Sequence, residues 1–231
     1  MLQGLLILNY DDDEGEGDLD DDDGGPAISA GCCLQALALL IRNDIMELVI
    51  KFVAANIQAE NWKQRYAGLI ALGSIAEGPE KQQFLEVIAQ ALNQLLILFS
   101  DKSLKVREAI CWVFSRLSEH HPDIFLDQQV AEQFIPRLRD LLSDRPRISN
   151  QCCSVFEKLS TAHAPQDDEP SNCLTPYFQE LMSKLMINAN QAEHTAEQSV
   201  SSSGIDLQQS SYMTMTTIIQ NCCSDSHELV F

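Results

Sequence analysis

Basic residues are scarce in this chain. Its 231 residues hold 15 Lys and Arg against 34 Asp and Glu, which gives a formal net charge of −19. Proteins bind nucleic acids largely through contacts between cationic side chains and phosphates. The shortage of cations therefore argues against a nucleic-acid partner and favours basic proteins as partners instead.

The sequence also lacks the motifs by which enzymes and metal sites are usually recognised. It contains no phosphate-binding Gly-rich loop, no Gly-x-Ser-x-Gly and no His-Glu-x-x-His. None of the eight cysteines belongs to a Cys-x-x-Cys, so no zinc site is expected. His120 and His121 precede Pro122 at a predicted helix end, where imidazoles commonly bond terminal carbonyls, and a Cys111 nucleophile is the weaker alternative. We expect no enzyme activity and no cofactor.

Signals for secretion or membrane insertion are missing as well. The first residues, MLQGLLILNYDDD, lack the basic start and cleavage site of a signal peptide, and no apolar run approaches the ~18 residues that span a bilayer. Six cysteines stand in adjacent pairs, and neighbours on a helix point about 100° apart, which disfavours a disulfide. These pairs are Cys32-Cys33, Cys152-Cys153 and Cys222-Cys223. We expect buried, reduced cysteines in a soluble intracellular protein without a membrane partner.

One acidic run near the N-terminus accounts for about half of the net charge. Its ten carboxylates belong to Asp11, Asp12, Asp13, Glu14, Glu16, Asp18, Asp20, Asp21, Asp22 and Asp23. Like-charge repulsion and four nearby glycines disfavour a helix, so the run predicts an acidic loop at 10–26. No frame provides the ligand spacing of a calcium loop. The remaining interpretations are a solubilising tract and a surface that binds a Lys/Arg-rich peptide.

A unit of constant length repeats along the middle of the chain. The segments RYAGLIALGSI, REAICWVFSRL and SNQCCSVFEKL begin at positions 65, 107 and 149, which are equally spaced. Apolar residues recur within each segment at i, i+1 and i+4, which is the spacing of a buried helix stripe. The matching positions are Ala71, Val113 and Val155, then Leu72, Phe114 and Phe156, then Ile75, Leu117 and Leu159.

A second apolar stripe precedes these helices, recurs once more beyond them, and predicts a partner for each helix. Thr175 and Pro176 are predicted as the N-cap and first residue of the last partner helix. One pair of helices cannot bury its apolar faces alone, whereas stacked pairs bury a continuous core. The stripes comprise Ile45, Leu48, Val49, Phe52 and Val53; Leu92, Leu95, Leu98 and Phe99; Ile135, Leu138, Leu141 and Leu142; and Phe178, Leu181, Met182, Leu185 and Met186.

These patterns predict an all-α fold, a right-handed α-solenoid or α-α superhelix, formed by a single array over 1–231. About four to five helix pairs fit this length, and the lack of polar caps suggests an array truncated at both ends. Longer connections are expected at 162–172 and, as a Ser- and Gln-rich flexible loop, at 188–206.

Several segments are similar to one known family. NWKQRYAGLIALGSIAEGPE (61–80) resembles the importin-beta (karyopherin-beta) signature, a Trp-Arg-x-x-Ala-type helix followed by Gly-x-Ile-x-x-Gly-Pro. The segments 103–119 and 144–160 are similar to the next two HEAT repeats of that family, and the acidic run precedes them at the expected distance. The spacing of Asp101 and Arg107 matches the HEAT consensus, in which Asp and Arg form ladders between repeats.

A short motif separates two branches of the family. Transportins share the acidic loop and a Gly-x-Ile-Ala-Glu-Gly segment but lack the Pro that follows it. Gly78-Pro79-Glu80 therefore favours importin-beta. The resemblance is good over most of 1–160 and fainter over 210–222.

The resemblance implies a nuclear import receptor. In the family, the acidic loop lies between the two helices of one repeat on the concave side. It faces the basic segment of an importin-alpha-type adaptor, and also Ran-GTP. The implied partners are this adaptor or basic cargo, Ran-GTP and FG-repeat nucleoporins, and the implied locations are cytoplasm, nucleus and nuclear pore.

The resemblance also implies partner-binding residues on the second helices. Trp112 lies where the family places Trp residues that stack against bound basic segments, although it could equally be an ordinary core aromatic. Glu108 and Asn150 match acidic and amide positions of the family's inner helices, although polar residues at helix starts also serve as caps. The Trp of the following repeat is here Ser154. Trp62 and Arg65 are expected to be structural and to close the turn into the second helix.

Two other function classes stay open. A HEAT-repeat scaffold outside transport would fit the periodicity but would not need the acidic loop. A degenerate fragment without independent function would fit the missing Trp and the missing caps. Binding that survives loss of the acidic loop would favour the scaffold, and aggregation of the isolated chain would favour the degenerate fragment.

Overall fold

The computed structural model describes residues 2–6, 26–164, 172–198, 202–223 and 225–226. These ranges are mainly helical and contain no strand. Their α-helices are α1 (Pro26–Ile41), α2 (Met46–Asn56), α3 (Trp62–Ser74), α4 (Lys81–Ile97), α5 (Leu104–His120), α6 (Gln128–Leu141), α7 (Pro146–Ala162), α8 (Phe178–Gln198) and α9 (Ser202–Gln220). Short 3-10 helices cover Leu2–Leu6, Arg42–Ile45, Leu98–Ser100, Pro122–Leu126 and Thr175–Tyr177.

The chain divides into two compact units, residues 1–116 and 117–231. In the first unit, α3 packs against both α1 and α2. In the second unit, α7 packs against α6, and α9 packs against both α7 and α8. A single array over 1–231 stays a prediction.

The repeat forms the core as the sequence predicts. All nine apolar residues at its matching positions, from Ala71 to Leu159, are buried with at most 1% of their surface exposed. Helix α9 continues the same i, i+1, i+4 pattern with the buried residues Thr214, Met215 and Ile218. Sequence analysis missed this last set because a threonine occupies its first position.

The partner helices bury most of their predicted stripes, but Phe52, Leu92 and Met182 are only half-buried and two further residues are exposed. Leu48 is 62% exposed and Met186 is 47% exposed, so both lie outside the core. In each helix a neighbour in the stripe takes the buried position, Val49 in α2 and Leu185 in α8. The prediction was wrong at Leu48 and Met186 because the apolar stripe in the sequence is wider than the face that is covered.

Arginines close the turns that lead into the second helices. The guanidinium of Arg65 donates to the carbonyl oxygens of Ala59 and Glu60, six and five positions earlier, at 2.8 and 2.7 Å. Arg107 repeats this geometry one repeat later, with carbonyl oxygens six and five positions earlier at 2.8 and 3.2 Å. The structural role expected for Arg65 is confirmed.

A buried amide takes over this task where the repeat has no arginine. Ser149 occupies the position of Arg107 in the next repeat and donates from Oγ to the carbonyl oxygen of Leu142 at 3.0 Å. Asn188 of α8 donates from Nδ2 to the same carbonyl at 2.7 Å and to the Ser149 hydroxyl at 3.0 Å. The exchange keeps a buried carbonyl satisfied, as such groups require.

The loop expected at 188–206 is largely helical. Residues 188–198 belong to α8 and residues 202–206 to α9. The prediction relied on Ser and Gln, but this stretch also contains Ala and Glu, which favour helix. In the connection expected at 162–172, residues 165–171 lie outside the described residues.

The start of α8 also differs from its prediction. Thr175 and Pro176 form a 3-10 turn, and α8 begins only at Phe178. The capping role belongs to Asn172, whose Oδ1 accepts from the backbone N–H of Leu174 at 2.9 Å and of Thr175 at 3.1 Å. An Asn side chain that bonds its own turn is a common device of this kind.

One segment is long and apolar enough to cross a membrane by length and composition. It is Lys81–Ser100, which contains α4, and a third of its most apolar window is buried in the structure. This corrects the expectation that no segment reaches the required length. Core helices of soluble proteins pass the same test, and α4 carries the fully buried Phe84, Ile88 and Leu95.

The cysteines are all free thiols, but not all are buried. Cys111, Cys152, Cys153 and Cys223 are buried, whereas Cys32 and Cys33 are exposed on α1. The prediction of burial was therefore wrong for the first adjacent pair.

This difference in exposure predicts selective alkylation. Burial raises the pKa of Cys153 to about 11 and that of Cys173 to about 11. Because the thiolate is the reactive form, we expect iodoacetamide at pH 7.5 to modify Cys32 and Cys33 first, and Cys153 about a hundredfold more slowly. Peptide mass spectrometry over a time course measures this order. Alkylation of Cys153 as fast as that of Cys32 would contradict the expectation.

A glycine with positive φ joins the first repeat to the next. Gly78 has φ +120°, a region that residues with a side chain rarely adopt. A Cβ at this position would also lie 2.3 Å from the backbone oxygen of Ala38 in α1. The glycine of the Gly-Pro motif, which carries the family resemblance, is therefore required by the backbone conformation and by the close approach of Ala38.

Candidate inner-helix binding face

The acidic loop predicted at 10–26 lies outside the described residues, apart from Pro26 at the start of α1. Its ten carboxylates, from Asp11 to Asp23, remain predicted partner-binding residues. The described part of the candidate site is therefore carried by the second helices of the repeats, α3, α5 and α7.

The structure places two predicted binding residues on one face of α5. Glu108, Trp112 and Arg116 are spaced at i, i+4 and i+8, so their side chains follow one another along the helix surface. All three are half-buried, whereas Val113 and Phe114, which point away from this face, are fully buried. Because a partly exposed indole lies one turn from a carboxylate, this face offers both an apolar surface and a negative charge.

Trp112 packs directly on the backbone of α3, the second helix of the preceding repeat. A Cβ on Gly73 of α3 would lie 2.2 Å from Trp112 Cζ3, 2.8 Å from Cε3 and 2.9 Å from Cη2. The benzo edge of the indole therefore occupies the space that a side chain would take. Trp112 is both a packing residue and a partly exposed one, and its role in partner binding stays a prediction.

The same face continues on α3 with half-buried side chains. Tyr66 and Ile70 occupy the positions of Glu108 and Trp112 in the preceding repeat and are partly exposed. Ile70 packs against Gly31 of α1, where an added Cβ would lie 3.0 Å from Ile70 Cγ2. We call the partly exposed side chains of α3 and α5, Tyr66, Ile70, Glu108, Trp112 and Arg116, the inner-helix face.

A repeated ion pair borders the second helices. Arg116 Nη2 lies 3.4 Å from Glu77 Oε2 in the first unit. In the second unit, Lys158 Nζ lies 2.8 Å from Glu119 Oε2. Both members of the second pair stand one repeat after those of the first. This recurrence of an acid and a base at the repeat interval is visible in the sequence, but it was not among the predictions. Each pair is partly exposed and contributes little stability, roughly 0–1 kcal/mol, but it partly neutralises the cations near these helices.

Asn150 lies in the second unit, on α7, and is half-buried. Its Oδ1 is buried and has no hydrogen-bond partner among the described residues. Ser154 follows one turn later and is also half-buried. The structure therefore brings Glu108 and Trp112 together on α5, and places Asn150 at the matching position of α7.

The described residues offer no metal site. Within them, no group of three or more His, Cys, Asp or Glu side chains is arranged to hold a metal ion. A small cavity of about 10 Å³ lies between the start of α8 and the end of α9 and is lined by Ser160, Asn172, Asn221 and Ser226 among others. It has room for about one water molecule.

Two family descriptions match the chain. Residues 133–231 match the family described as importin subunit beta-1-like TPR repeats, and residues 62–117 match a HEAT-like repeat. The second match covers α3 to α5, which carry the inner-helix face. The all-α HEAT-repeat fold predicted from the sequence is confirmed.

Known proteins of the same kind are similar in sequence and structure. Importin subunit beta-1 of Schizosaccharomyces pombe is 31% identical over 186 residues, which cover 80% of this chain and 21% of the relative. Yeast importin-beta (Kap95p) in a study with RanGDP has a TM-score of 0.83 at 28% identity, covering 98% of this chain and 24% of that one. The complex of Kap95 with Nup1 has a TM-score of 0.82 at 28% identity, with the same coverage.

The chain thus spans about a fifth of the length of the curated relative that it matches. Its repeats, its Gly-Pro motif and its structural neighbours all agree with one family of nuclear transport receptors. The chain therefore belongs to the importin-beta family and is built from that family's HEAT repeats.

Proposed function

We propose that this chain is a cargo-binding part of a nuclear import receptor. It recognises Lys/Arg-rich segments of an importin-alpha-type adaptor or of cargo through the inner-helix face and the acidic run Asp11 to Asp23. The observation that carries this proposal is the pairing of a partly exposed Trp112 with Glu108 on one face of α5.

The chemistry of this face suits a basic peptide. The aliphatic stem of a Lys or Arg can lie on an indole while its charged head remains solvated or reaches a carboxylate. A cation over a Trp ring contributes about 0.5–2 kcal/mol, depending on how far it is desolvated. Glu108 stands one turn from Trp112 and supplies the matching negative charge.

The acidic run acts on encounter more than on the bound geometry. Ten carboxylates attract a cationic segment over several ångströms, and this attraction is screened by salt. Each exposed pair contributes only about 0–1 kcal/mol, so the effect is collective. The scarcity of Lys and Arg elsewhere in the chain leaves few cations to oppose this attraction.

Further partners follow from the relatives. A related structure was determined with RanGDP and another with Nup1, so we propose Ran, in its GTP form, and FG-repeat nucleoporins as partners. These partners are encountered in the cytoplasm, the nucleus and the nuclear pore, which are the proposed locations. Asn150 is proposed as a weaker contact on α7.

A peptide titration tests the proposal. We expect a fluorescent Lys/Arg-rich peptide to bind the chain, with a Kd that rises from 50 to 150 mM salt. Trp112→Leu should weaken binding about tenfold, since a lost cation–π contact of ~1.4 kcal/mol corresponds to a factor of ten. Replacing the four aspartates at positions 20–23 by asparagine should reduce the affinity for the peptide and also the salt dependence of binding.

A pair of charge variants separates the inner-helix face from net charge. Glu108→Gln should weaken binding, and Glu47→Gln is its matched control. Glu47 is exposed on α2 and paired with Lys51, so its loss changes the net charge equally but leaves the inner-helix face intact. Equal weakening by both variants would show that only net charge matters. Absence of binding at either salt concentration would remove the proposal, and binding that survives loss of the acidic run would favour a scaffold.

A further inference from the structure

Gly73 is a glycine that its own helix does not require. It lies within α3, is buried, and is not among the described residues with positive φ. Glycine inside a helix is less stable than alanine, because it loses more conformational freedom on folding. Its presence therefore calls for a reason outside the α3 backbone.

The reason is the close approach of Trp112. Three ring carbons of the indole would lie between 2.2 and 2.9 Å from a Cβ at Gly73. Real Cβ atoms do not tolerate such distances, and the ring is a rigid plane with only two side-chain torsions. Even an alanine at position 73 would displace the indole or separate α3 from α5.

A second glycine in α3 provides the comparison. A Cβ on Gly68 would lie 3.5 Å from the backbone nitrogen of Ile57 and 3.6 Å from Asn56 Cβ, which are ordinary van der Waals contacts. Both glycines are buried in the same helix. Only Gly73 has its missing side chain replaced by a ring from the next repeat.

The arrangement occurs twice at the repeat interval. A Cβ on Gly31 of α1 would lie 3.0 Å from Ile70 of α3, and these two residues precede Gly73 and Trp112 by one repeat. Helices α1 and α3 thus each present a glycine on which a side chain rests, from α3 in the first case and from α5 in the second. The larger side chain, Trp112, makes the closer contact.

We infer that Gly73 is the positioning residue of the proposed peptide-binding tryptophan. Its bare backbone fixes the benzo edge of Trp112, and this contact holds the partly exposed remainder of the ring in one orientation before any peptide arrives. A preorganised ring loses less entropy on binding than a mobile one. This inference rests on the proposed function for its binding consequence, but the fixed orientation of the ring can be tested without a peptide.

The first test follows the indole alone. Trp62→Phe leaves Trp112 as the only tryptophan, since the chain has two. In this background we expect Gly73→Ala to shift the emission maximum and to increase acrylamide quenching at least twofold, and Gly68→Ala to leave both unchanged. Unchanged emission and quenching in Gly73→Ala would overturn the inference.

Thermal unfolding provides a second readout through a double-mutant cycle. We expect Gly73→Ala to lower Tm by roughly 2–12 °C, because overpacking destabilises a core. In a Trp112→Leu background the same change should no longer lower Tm, since the ring that clashes is gone. If Gly73→Ala alone fails to fold, recovery in the double variant supports the contact, and failure to recover overturns it.

Peptide binding then separates the two proposals. We expect Gly73→Ala to weaken binding of the Lys/Arg-rich peptide about tenfold, as Trp112→Leu does. Gly68→Ala should leave the Kd for the peptide at the value of the parent chain. A shifted emission with unchanged peptide affinity would overturn the role of Gly73 in binding. If the parent chain itself binds no peptide, the proposed function fails, whereas the emission result still decides the positioning of the ring.

Discussion

Phe114→Ala is expected to lower the free energy of unfolding by about 3–5 kcal/mol, the range for removing a large aromatic side chain from a well-packed core. Phe114 is fully buried in α5, and its ring centroid lies 5.1 Å from that of Phe99 at an interplanar angle of 47°. The substitution removes this contact and leaves a cavity between the two helices of one repeat. Urea denaturation followed by circular dichroism at 222 nm measures the change.

Leu48→Ala is the control for this core deletion. Leu48 is a large apolar residue of α2 but is 62% exposed, so its loss should change stability by no more than about 0.5 kcal/mol. A similar loss in both variants would mean that the predicted difference in burial between the two positions is wrong.

Asp101→Ala is expected to cost about 3 kcal/mol, the second largest effect, because it leaves a mainly buried guanidinium without its carboxylate partner. The carboxylate of Asp101 accepts from Arg65 Nε at 2.7 Å and Nη2 at 2.8 Å, and the side chains of Arg65 and Asp101 are only 15% and 7% exposed. Asp101 also accepts from the backbone N–H of Ser103 at 2.8 Å, just before α5. The substitution therefore removes a helix-start bond as well. The same urea denaturation measures the loss.

Two further variants distinguish this pair from ordinary surface charges. Asp101→Leu combined with Arg65→Met should recover part of the loss, because replacing both partners avoids a lone buried charge. Glu47→Ala breaks the exposed pair with Lys51, whose side chains are 81% and 72% exposed, and should cost at most about 0.5 kcal/mol. Equal costs for Asp101→Ala and Glu47→Ala would contradict a special role for the Arg65–Asp101 pair.

Much of the fold was accessible from sequence because the repeat is strict in its core. The constant offset between repeats predicts helices α3, α5 and α7, and their apolar positions are buried as expected. The resemblance to the HEAT consensus, and not the offset, implies a link between repeats at Asp101, and the structure shows that Arg65 is the residue that reaches its carboxylate. A pattern identifies the residue types of a ladder, whereas the pairing depends on how adjacent helices are placed.

The failures have equally local causes. Residues 188–206 were predicted as a loop because Ser and Gln are common in linkers, although most of that stretch is helical. Leu48 and Met186 were predicted as core because an apolar stripe does not say how wide a face its neighbour covers. The first prediction overlooked the Ala and Glu of that stretch, which favour helix, and the second overlooked the limited width of the covered face.

Two residues of the candidate site were identified from the sequence, but their packing was not. Glu108 and Trp112 were identified by resemblance, and the structure places them on one face of α5. The contact between Trp112 and Gly73 could not be read from the sequence, because glycine in a helix has several possible explanations. The repeat of that contact at Gly31 and Ile70 was visible only once both distances were known.

The backbone at Gly78 has a consequence for inherited variation. Every other amino acid carries a Cβ, and at this position that atom would meet the carbonyl group of Ala38 whatever the rest of the side chain is. A missense change in the codon for Gly78 therefore meets the same obstacle irrespective of the residue that it introduces. At most positions the tolerance of a substitution depends on the size or polarity of the new side chain. At position 78 we expect every substitution to be disfavoured for the same reason, so that selection would retain glycine there against all other residues.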